Sequence, residues 1–369
     1  MSASSSFRVA VLPGDGIGPE VIGVCHPVLR SLAAEFRGFD LELVELEAGA
    51  ELYSRTRVAL PEETFDEVAR ADAVLFGAMG LPDVRTDDGR EIAPQLDLRE
   101  RLELYAGVRP LRAVPGLPLP LADPRARDLD VVLIREQTEG LFAERESGTG
   151  EADIEARDSL VITRPACERL FDFTFALAGR RQAAGRGGRV TCVDKSNVLQ
   201  SFAFFRQVFD ERAEAHPHLS TDHCYVDAMA MNLVTRPWSY DLLVTENLLG
   251  DILSDLGAAL IGGMGMAPSA DIGEEHGLFQ PCHGTAPDIV GSGRANPTAM
   301  LLSAAMMLDW LGETHGVADC VAAATRLRAA VDAAFASGEL LPFEFGGSDG
   351  TEGISSAILR ALESESGSD

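Results

Sequence analysis

The reading of this chain turns on Thr245-Glu-Asn-Leu-Leu-Gly-Asp-Ile-Leu-Ser-Asp255. Its aspartates Asp251 and Asp255 stand four residues apart. On an α-helix that spacing sets both carboxylates on one face, a turn from each other. Like charges so placed repel unless something positive lies between them. A hard divalent cation such as Mg²⁺ or Mn²⁺ suits oxygen ligands and completes its shell with water or substrate. A solvated acidic face is the plainer alternative. Against it, Leu248, Leu249, Ile252, Leu253 and Leu256 predict a helix largely packed into a core, where unpaired carboxylates are costly.

Composition sets the outer bounds. The 369 residues suffice for two domains, and 46% hydrophobic with 24% charged residues is ordinary for a globular protein. A net charge of -27 argues against nucleic-acid or anionic-membrane partners. It also makes a local cluster of arginines notable. Six cysteines lack any Cys-x-x-Cys spacing and read as reduced thiols of a cytoplasmic enzyme. The opening Met1-Ser-Ala-Ser-Ser-Ser6 lacks the basic and apolar regions of a signal peptide, and no apolar run reaches membrane-spanning length.

Apolar runs alternate with amphipathic stretches. Strands are predicted at Arg8–Pro13, Ala71–Gly77, Asp130–Ile134, Arg189–Val193 and Tyr240–Thr245. Helices are predicted at 165–182, 198–214 and 247–260. Another opens with Asn296 as cap and Pro297 at its first position. Pro19 opens the first helix and Pro27 is expected to kink it. Pro-rich Val108–Pro124 reads as a crossing between domains, and 361–369 as a disordered Ser/Glu tail. The pattern is α/β with a large, mostly buried sheet.

Five further segments carry chemistry. Leu12-Pro-Gly-Asp-Gly-Ile-Gly-Pro-Glu20 follows a strand, but its G-x-G-x-G spacing departs from the dinucleotide fingerprint G-x-G-x-x-G. Arg99, Arg109 and Arg135 stand at predicted strand or turn ends, where planar guanidinium groups suit carboxylates. Surface ion pairing is the alternative for each. Lys195, in Val193-Asp-Lys-Ser-Asn197, follows a strand and would serve as a general base if burial or a metal lowered its pKa. Otherwise it is an exposed lysine. Asp227, in Tyr225-Val-Asp-Ala-Met229, is either a third metal carboxylate or a helix cap. His283-Gly-Thr-Ala-Pro-Asp288, followed by Asn296-Pro297, brings small residues and turn formers that let backbone amides approach a phosphate or adenine. His283 alone also fits a structural role.

Together and in this order, these segments resemble the β-decarboxylating dehydrogenases: the isopropylmalate, isocitrate, homoisocitrate and tartrate/D-malate enzymes. The resemblance runs from about residue 8 to 360. Val226-Asp-Ala-Met-Ala-Met231 and Ala295-Asn-Pro-Thr298 look closest to the isopropylmalate and tartrate branches. The resemblance implies an isopropylmalate-dehydrogenase-like α/β fold, not of the Rossmann type, with a large mixed sheet and flanking helices. Residues 1–104 and 262–369 would form a cofactor-side domain holding both termini. Residues 105–261 would form a substrate and dimerisation domain, with an arm near 138–163. It implies a homodimer with shared active sites, Lys195 and Asp227 being lent by the partner subunit. Arg99, Arg109 and Arg135 would bind the carboxylates of a 2-hydroxy acid, with Gln95, Leu96 and Phe142 around its substituent. Asp227, Asp251 and Asp255 would hold Mg²⁺ or Mn²⁺, and Lys195 would take the hydroxyl proton. Ile17, Gln280, His283, Gly284, Thr285, Ala286, Pro287, Asp288 and Asn296 would contact the nicotinamide cofactor. Asp288 implies NAD, because a carboxylate suits ribose hydroxyls and repels a 2′-phosphate. The implied reaction is oxidation and decarboxylation of a 3-substituted D-malate, 3-isopropylmalate-like, to a 2-oxo acid, CO₂ and NADH.

The chain departs from the family pattern in three places. Arg135-Glu-Gln-Thr-Glu-Gly-Leu-Phe142 ends in Phe where the family has the tyrosine that protonates the enolate. Gln280 replaces the usual Glu near the nicotinamide amide. Ala93-Pro-Gln-Leu-Asp97 lacks both the Leu-Leu pair of isopropylmalate enzymes and the Ser and Asn of isocitrate enzymes. These departures keep three alternatives open: a tartrate/D-malate-type enzyme, a non-decarboxylating 2-hydroxy-acid dehydrogenase, and a non-catalytic regulatory subunit.

Overall fold

The computed structural model describes residues 4–143, 148–151 and 154–365. The expected arm thus lies partly outside the described residues, at 144–147 and 152–153. Contacts divide the chain into two compact units. The first takes the residues up to 102, 114–118 and those from 262 onward; the second takes 103–113 and 119–261.

The first unit begins with β1 (Ser5–Gly14), α1 (Gly18–Phe36), β2 (Phe39–Glu45), α2 (Ala50–Thr56), α3 (Glu62–Ala69), β3 (Ala73–Ala78) and α4 (Pro94–Arg101). The second unit comprises β4 (Ala106–Arg112), β5 (Asp130–Glu136), β6 (Thr149–Glu151), β7 (Glu155–Arg157), α5 (Arg164–Ala183), β8 (Arg189–Asp194), α6 (Gln200–Ala213), β9 (Ser220–Tyr225), α7 (Val226–Thr235), β10 (Leu242–Thr245) and α8 (Asn247–Leu260). The chain then completes the first unit with β11 (Pro268–Ile272), β12 (Gly277–Pro281), α9 (Thr298–His315), α10 (Ala318–Phe335) and α11 (Thr351–Glu365).

In the first unit the strands lie in the order β2-β1-β3-β12-β11, parallel except for the β11–β12 hairpin. Val9, Ala10, Val11 and Leu12 are all buried, as expected of a strand covered on both faces. α9 is apolar nearly all round, and Met300, Leu301, Ala304, Met307, Leu308 and Leu311 are fully buried. In the second unit the order is β4-β5-β10-β8-β9, parallel except for β4–β5. Phe171 of α5 packs edge-on against Phe205 and Phe209 of α6, with centroids 4.7 and 5.3 Å apart. α8 packs on β4 through Gly257, where a Cβ would stand 2.3 Å from a Leu111 methyl, so a larger residue would have to displace that side chain. β6 and β7 form a separate antiparallel ribbon. Among the described residues no helix is long and apolar enough to cross a membrane.

The α/β architecture with mixed sheet agrees with expectation; several details differ. α9 starts at Thr298, so Pro297 rather than Asn296 is its cap; the Asn296 side chain accepts the Thr298 N–H at 3.0 Å from one residue further out. Pro19 is the second residue of α1, and the helix runs on through Pro27 to Phe36. Val108–Pro124 begins inside β4 and then, as expected of a crossing, passes through the first unit at 114–118 before returning to the second. α11 continues to Glu365, so residues 361–365 of the expected tail are helix, and 366–369 lie outside the described residues. Ile252 of α8 is 59% exposed, so that helix is less enclosed than its leucines imply.

Candidate active site

Three parallel strands of the second unit end side by side. Thr245, the last residue of β10, is in register with Arg135 on β5 and Val193 on β8. Their carboxyl ends deliver Arg135, the first turn of α8 and the Asp194–Lys195 turn to one level. Ligand sites in α/β sheets gather at such ends.

Arg135 is the buried centre of this group. Its Nε and Nη2 donate to Asn247 Oδ1 at 3.0 and 2.8 Å, and its Nη1 donates to Asp251. Asn247 Nδ2 donates to the Glu139 carbonyl at 2.8 Å, which fixes the amide. The Phe142 ring lies 5.4 Å from the guanidinium carbon, within cation–π range. Glu246 caps α8, its Oε2 accepting the Leu249 N–H at 3.2 Å. Its Oε1 is buried with no hydrogen-bond partner, and burial pushes its pKa up.

Asp251 and Asp255 lie one turn apart on α8, as their spacing predicts. Burial raises the pKa of Asp255; the neighbouring Asp251 carboxylate adds to this, while Arg109 and Arg135 oppose it. Such strain on paired carboxylates is what a cation relieves. Among the described residues of one chain, however, no three His, Cys, Asp or Glu groups converge as a metal cage. Asp227, the second residue of α7 with Tyr225 as its cap, sits instead 2.5 Å from Lys195 Nζ. The lysine hydrogen bond lowers the pKa of Asp227. The Lys195 turn is braced from below. Arg206 Nε and Nη2 hold the fully buried Asp194 carboxylate at 2.7 and 3.0 Å, and Asp194 Oδ1 accepts the Ser196 N–H at 2.8 Å.

Arg109 is buried in mid-strand on β4, not at a turn. Arg99 lies on α4 in the first unit, where its Nε donates to Asp271 Oδ2 at 2.8 Å. Gln95 and Leu96 sit at the start of the same helix, half-buried, and Gln95 Oε1 is shielded with no hydrogen-bond partner. Gln280 Nε2 donates to the same Asp271 oxygen at 2.7 Å.

The Gly-rich loop and the His-Gly-Thr-Ala-Pro segment meet in the first unit. Ile17 N–H donates to Thr285 O at 3.0 Å, and Thr285 Oγ1 donates to Gly80 O at 2.6 Å. A Cβ on Gly16 would stand 2.2 Å from Thr285 O, so the glycine permits the contact. Ala286 takes a left-handed conformation (φ 40°), unusual for a residue with a side chain. It leads into the short turn Pro287–Ile289, which leaves Asp288 exposed. Gly284 is exposed, with room around it. His283 Nδ1 faces Gly284 O at 2.9 Å, its Nε2 is shielded without a partner, and burial lowers its pKa. Asn296 Nδ2 donates to Glu344 at 2.5 Å. With its oxygen accepting the Thr298 N–H, Asn296 is engaged within the unit on both sides.

A family model described as isocitrate/isopropylmalate dehydrogenase matches residues 8–358. The chain belongs to the isocitrate/isopropylmalate dehydrogenase family. It is 41% identical over 97% of its length to a 3-isopropylmalate/3-methylmalate dehydrogenase of Methanocaldococcus jannaschii, covering 99% of that protein. It is 42% identical, with the same coverage, to an isocitrate/homoisocitrate dehydrogenase of Thermus thermophilus. Among solved structures, an isocitrate dehydrogenase from Methylococcus capsulatus superposes with TM-score 0.83 at 33% identity over 96% of this chain and 99% of that one. This isocitrate/isopropylmalate dehydrogenase relative is therefore an oxidoreductase that acts on a CH–OH group with decarboxylation.

Several residues around these groups carried no signal in the family motifs. Asp15 is buried and accepts the backbone N–H groups of Ala50, Glu51 and Gly80 at 2.7 to 2.8 Å, tying the Gly-rich loop to α2 and β3. Asn247 lies inside the opening stretch yet shows its role only through Arg135. Asp271, Asp194 and Arg206 are ordinary charged residues in the sequence. A carboxylate within an apolar strand, as in Pro268-Ser-Ala-Asp-Ile272, is the one signal that marks Asp271 in advance.

Proposed function

We propose that this enzyme carries out NAD- and divalent-metal-dependent oxidative decarboxylation of a 3-substituted D-malate. The observation that carries the reading is the alignment of Arg135, the Asp251–Asp255 helix and Lys195 at three adjacent strand ends. Asp251 and Asp255 fit Mg²⁺ or Mn²⁺ in donor type, and Asp227 of the partner subunit would complete the set. When bound, NAD supplies a two-electron acceptor and the cation a Lewis acid.

The chain's own residues do the rest. Arg99, Arg109 and Arg135 hold the substrate carboxylates, with Asn247 fixing the plane of Arg135. Lys195 Nζ receives the proton of the 2-hydroxyl, and the Asp194–Arg206 brace keeps its turn in place. Ile17, His283, Gly284, Thr285, Ala286, Pro287, Asp288, Asn296 and Gln280 form the cofactor side; the exposed Asp288 carboxylate favours NAD over NADP. Phe142 has no hydroxyl, so the proton that reaches C3 comes from water or another group. Gln95 and Leu96 face the C3 substituent. The shielded, unpartnered Gln95 oxygen favours a second reading, a tartrate/D-malate-type substrate with a polar C3 group. A cytoplasmic setting accords with six cysteines left as thiols.

The homodimer is part of the same reading. Asp227, Met231 and Val234 follow one another at helical spacing on α7, and Met231 and Val234 are 60% and 48% exposed, as Ile252 of α8 is 59%. An apolar stripe ending in a metal carboxylate suits burial against a second copy.

The test is a substrate panel of 3-isopropylmalate, D-malate, tartrate and homoisocitrate, each with NAD or NADP and with Mg²⁺, Mn²⁺ or EDTA. We expect one CO₂ per NADH on at least one substrate, a preference for NAD, and loss of activity in EDTA. Absence of NADH on all four, with either cation, would overturn the reading.

A further inference from the structure

Gln280 departs from the glutamate that the family places near the nicotinamide amide, and the first unit shows where that charge has gone. β11 and β12 pair antiparallel with Ser269 opposite Gln280 and Asp271 opposite Leu278. Asp271 and Gln280 are therefore diagonal neighbours on one face of the hairpin, within side-chain reach. Asp271 is fully buried. One of its oxygens, Oδ2, accepts from Gln280 Nε2 at 2.7 Å and from Arg99 Nε at 2.8 Å. The Arg99 side chain, reaching in from α4, is 12% exposed.

The charges decide which residues are compatible. Asp271 thus sets one carboxylate against the Arg99 guanidinium and the neutral Gln280 amide. With glutamate at 280, a second buried carboxylate would stand beside Asp271, and repulsion between the two would raise the pKa of the pair. With asparagine at 271, Arg99 would lose its buried counter-charge.

We infer that Asp271 is a positioning residue that carries the charge the family places at position 280, holding Arg99 toward the substrate and orienting the Gln280 amide toward the cofactor. This inference rests on the proposed function for what Arg99 and Gln280 contact. The pairing of Asp271 with Gln280 and Arg99 stands on the structure alone. With the amide nitrogen committed to Asp271, the Gln280 carbonyl oxygen is the polar atom offered to the nicotinamide carboxamide.

The experiment is a double-mutant cycle of Asp271→Asn, Gln280→Glu and the exchanged Asp271→Asn/Gln280→Glu, read first by thermal unfolding of the ligand-free protein at pH 5 and pH 8. A buried pair sharing a proton has a raised folded-state pKa. Its stability is present at low pH and falls as pH rises through that value. Gln280→Glu should thus lose more than about 3 °C in Tm at pH 8 relative to pH 5, beyond the shift of the parent protein. The exchanged variant should lose that extra pH dependence, because its Asp271→Asn change removes the second carboxylate.

Kinetics supply the second reading. Asp271→Asn should raise KM for both hydroxy acid and NAD about tenfold, with kcat changed less. The exchanged variant should recover at least half of that loss on the logarithmic scale. Additive Tm and KM effects in the cycle would overturn the inference. A non-additive Tm cycle in a protein inactive on every substrate would instead keep the Asp271–Gln280 exchange and reject the proposed function.

Discussion

Single polar atoms organise the site. Asn247 uses one carboxamide oxygen to hold two N–H groups of Arg135 and its nitrogen to anchor on Glu139 O, so the guanidinium has one orientation. Asn247→Ala should therefore raise KM for the hydroxy acid about tenfold while kcat changes less, because the arginine keeps its charge and loses its aim; equal falls in kcat and kcat/KM would contradict this. Lys195→Met removes the proposed base and should lower kcat by about 10²–10⁴, with substrate binding by calorimetry retained. The Phe142 ring packs over Arg135 without a hydroxyl to give. Phe142→Tyr should keep NAD and metal dependence and hold or raise the rate. A loss of activity would mean that the Phe142 ring is an indispensable part of the arginine's packing.

At the scale of elements, helix ends and strand ends set where charge goes. α8 starts at the end of β10 and is capped by Glu246, a buried carboxylate with one satisfied oxygen. Its raised pKa makes its contribution to stability largest at low pH and smallest above its folded value. Glu246→Gln keeps an oxygen for the Leu249 N–H and removes the buried charge, so Tm should rise at pH 8 and change little at pH 4. An equal shift at both pH values would show that the charge is not what burial penalises. In the first unit, Asp15 joins three backbone N–H groups from separate segments. Asp15→Ala leaves buried donors unsatisfied and should cost about 2–3 kcal/mol in chemical unfolding.

For the whole molecule, the decisive matter is that one chain does not assemble the three aspartates. Asp227 stays with Lys195, while Asp251 and Asp255 stand on α8. If two copies share sites, mixing inactive Asp227→Asn and Asp255→Asn proteins after dissociation should restore about a quarter of wild-type activity. Random reassortment makes half the dimers mixed, and each mixed dimer has one intact site of two. Absence of any recovery would overturn the sharing of sites between two copies. Met231→Glu with Val234→Glu should shift the protein toward monomer in sedimentation and abolish activity.

The family, the alternation of strands and helices, and the residue types of the chemistry are all legible along the chain. Those follow from local rules: apolar periodicity, the i, i+4 spacing of Asp251 and Asp255, and motif segments that keep their order along the chain. The sequence could not decide what each charge faces, because Coulomb and hydrogen-bond partners lie far apart along it. Arg99 meets Asp271 across 172 residues and Arg135 meets Asn247 across 112. The tertiary structure alone turned Gln280 from a lost charge into one half of a pair with Asp271. It also placed Asp227 beside Lys195, and it left Ile252 open to solvent where the leucines around it predicted burial. A buried strand admits a carboxylate only where cation and amide donors converge on it. That convergence is a property of folded elements brought together.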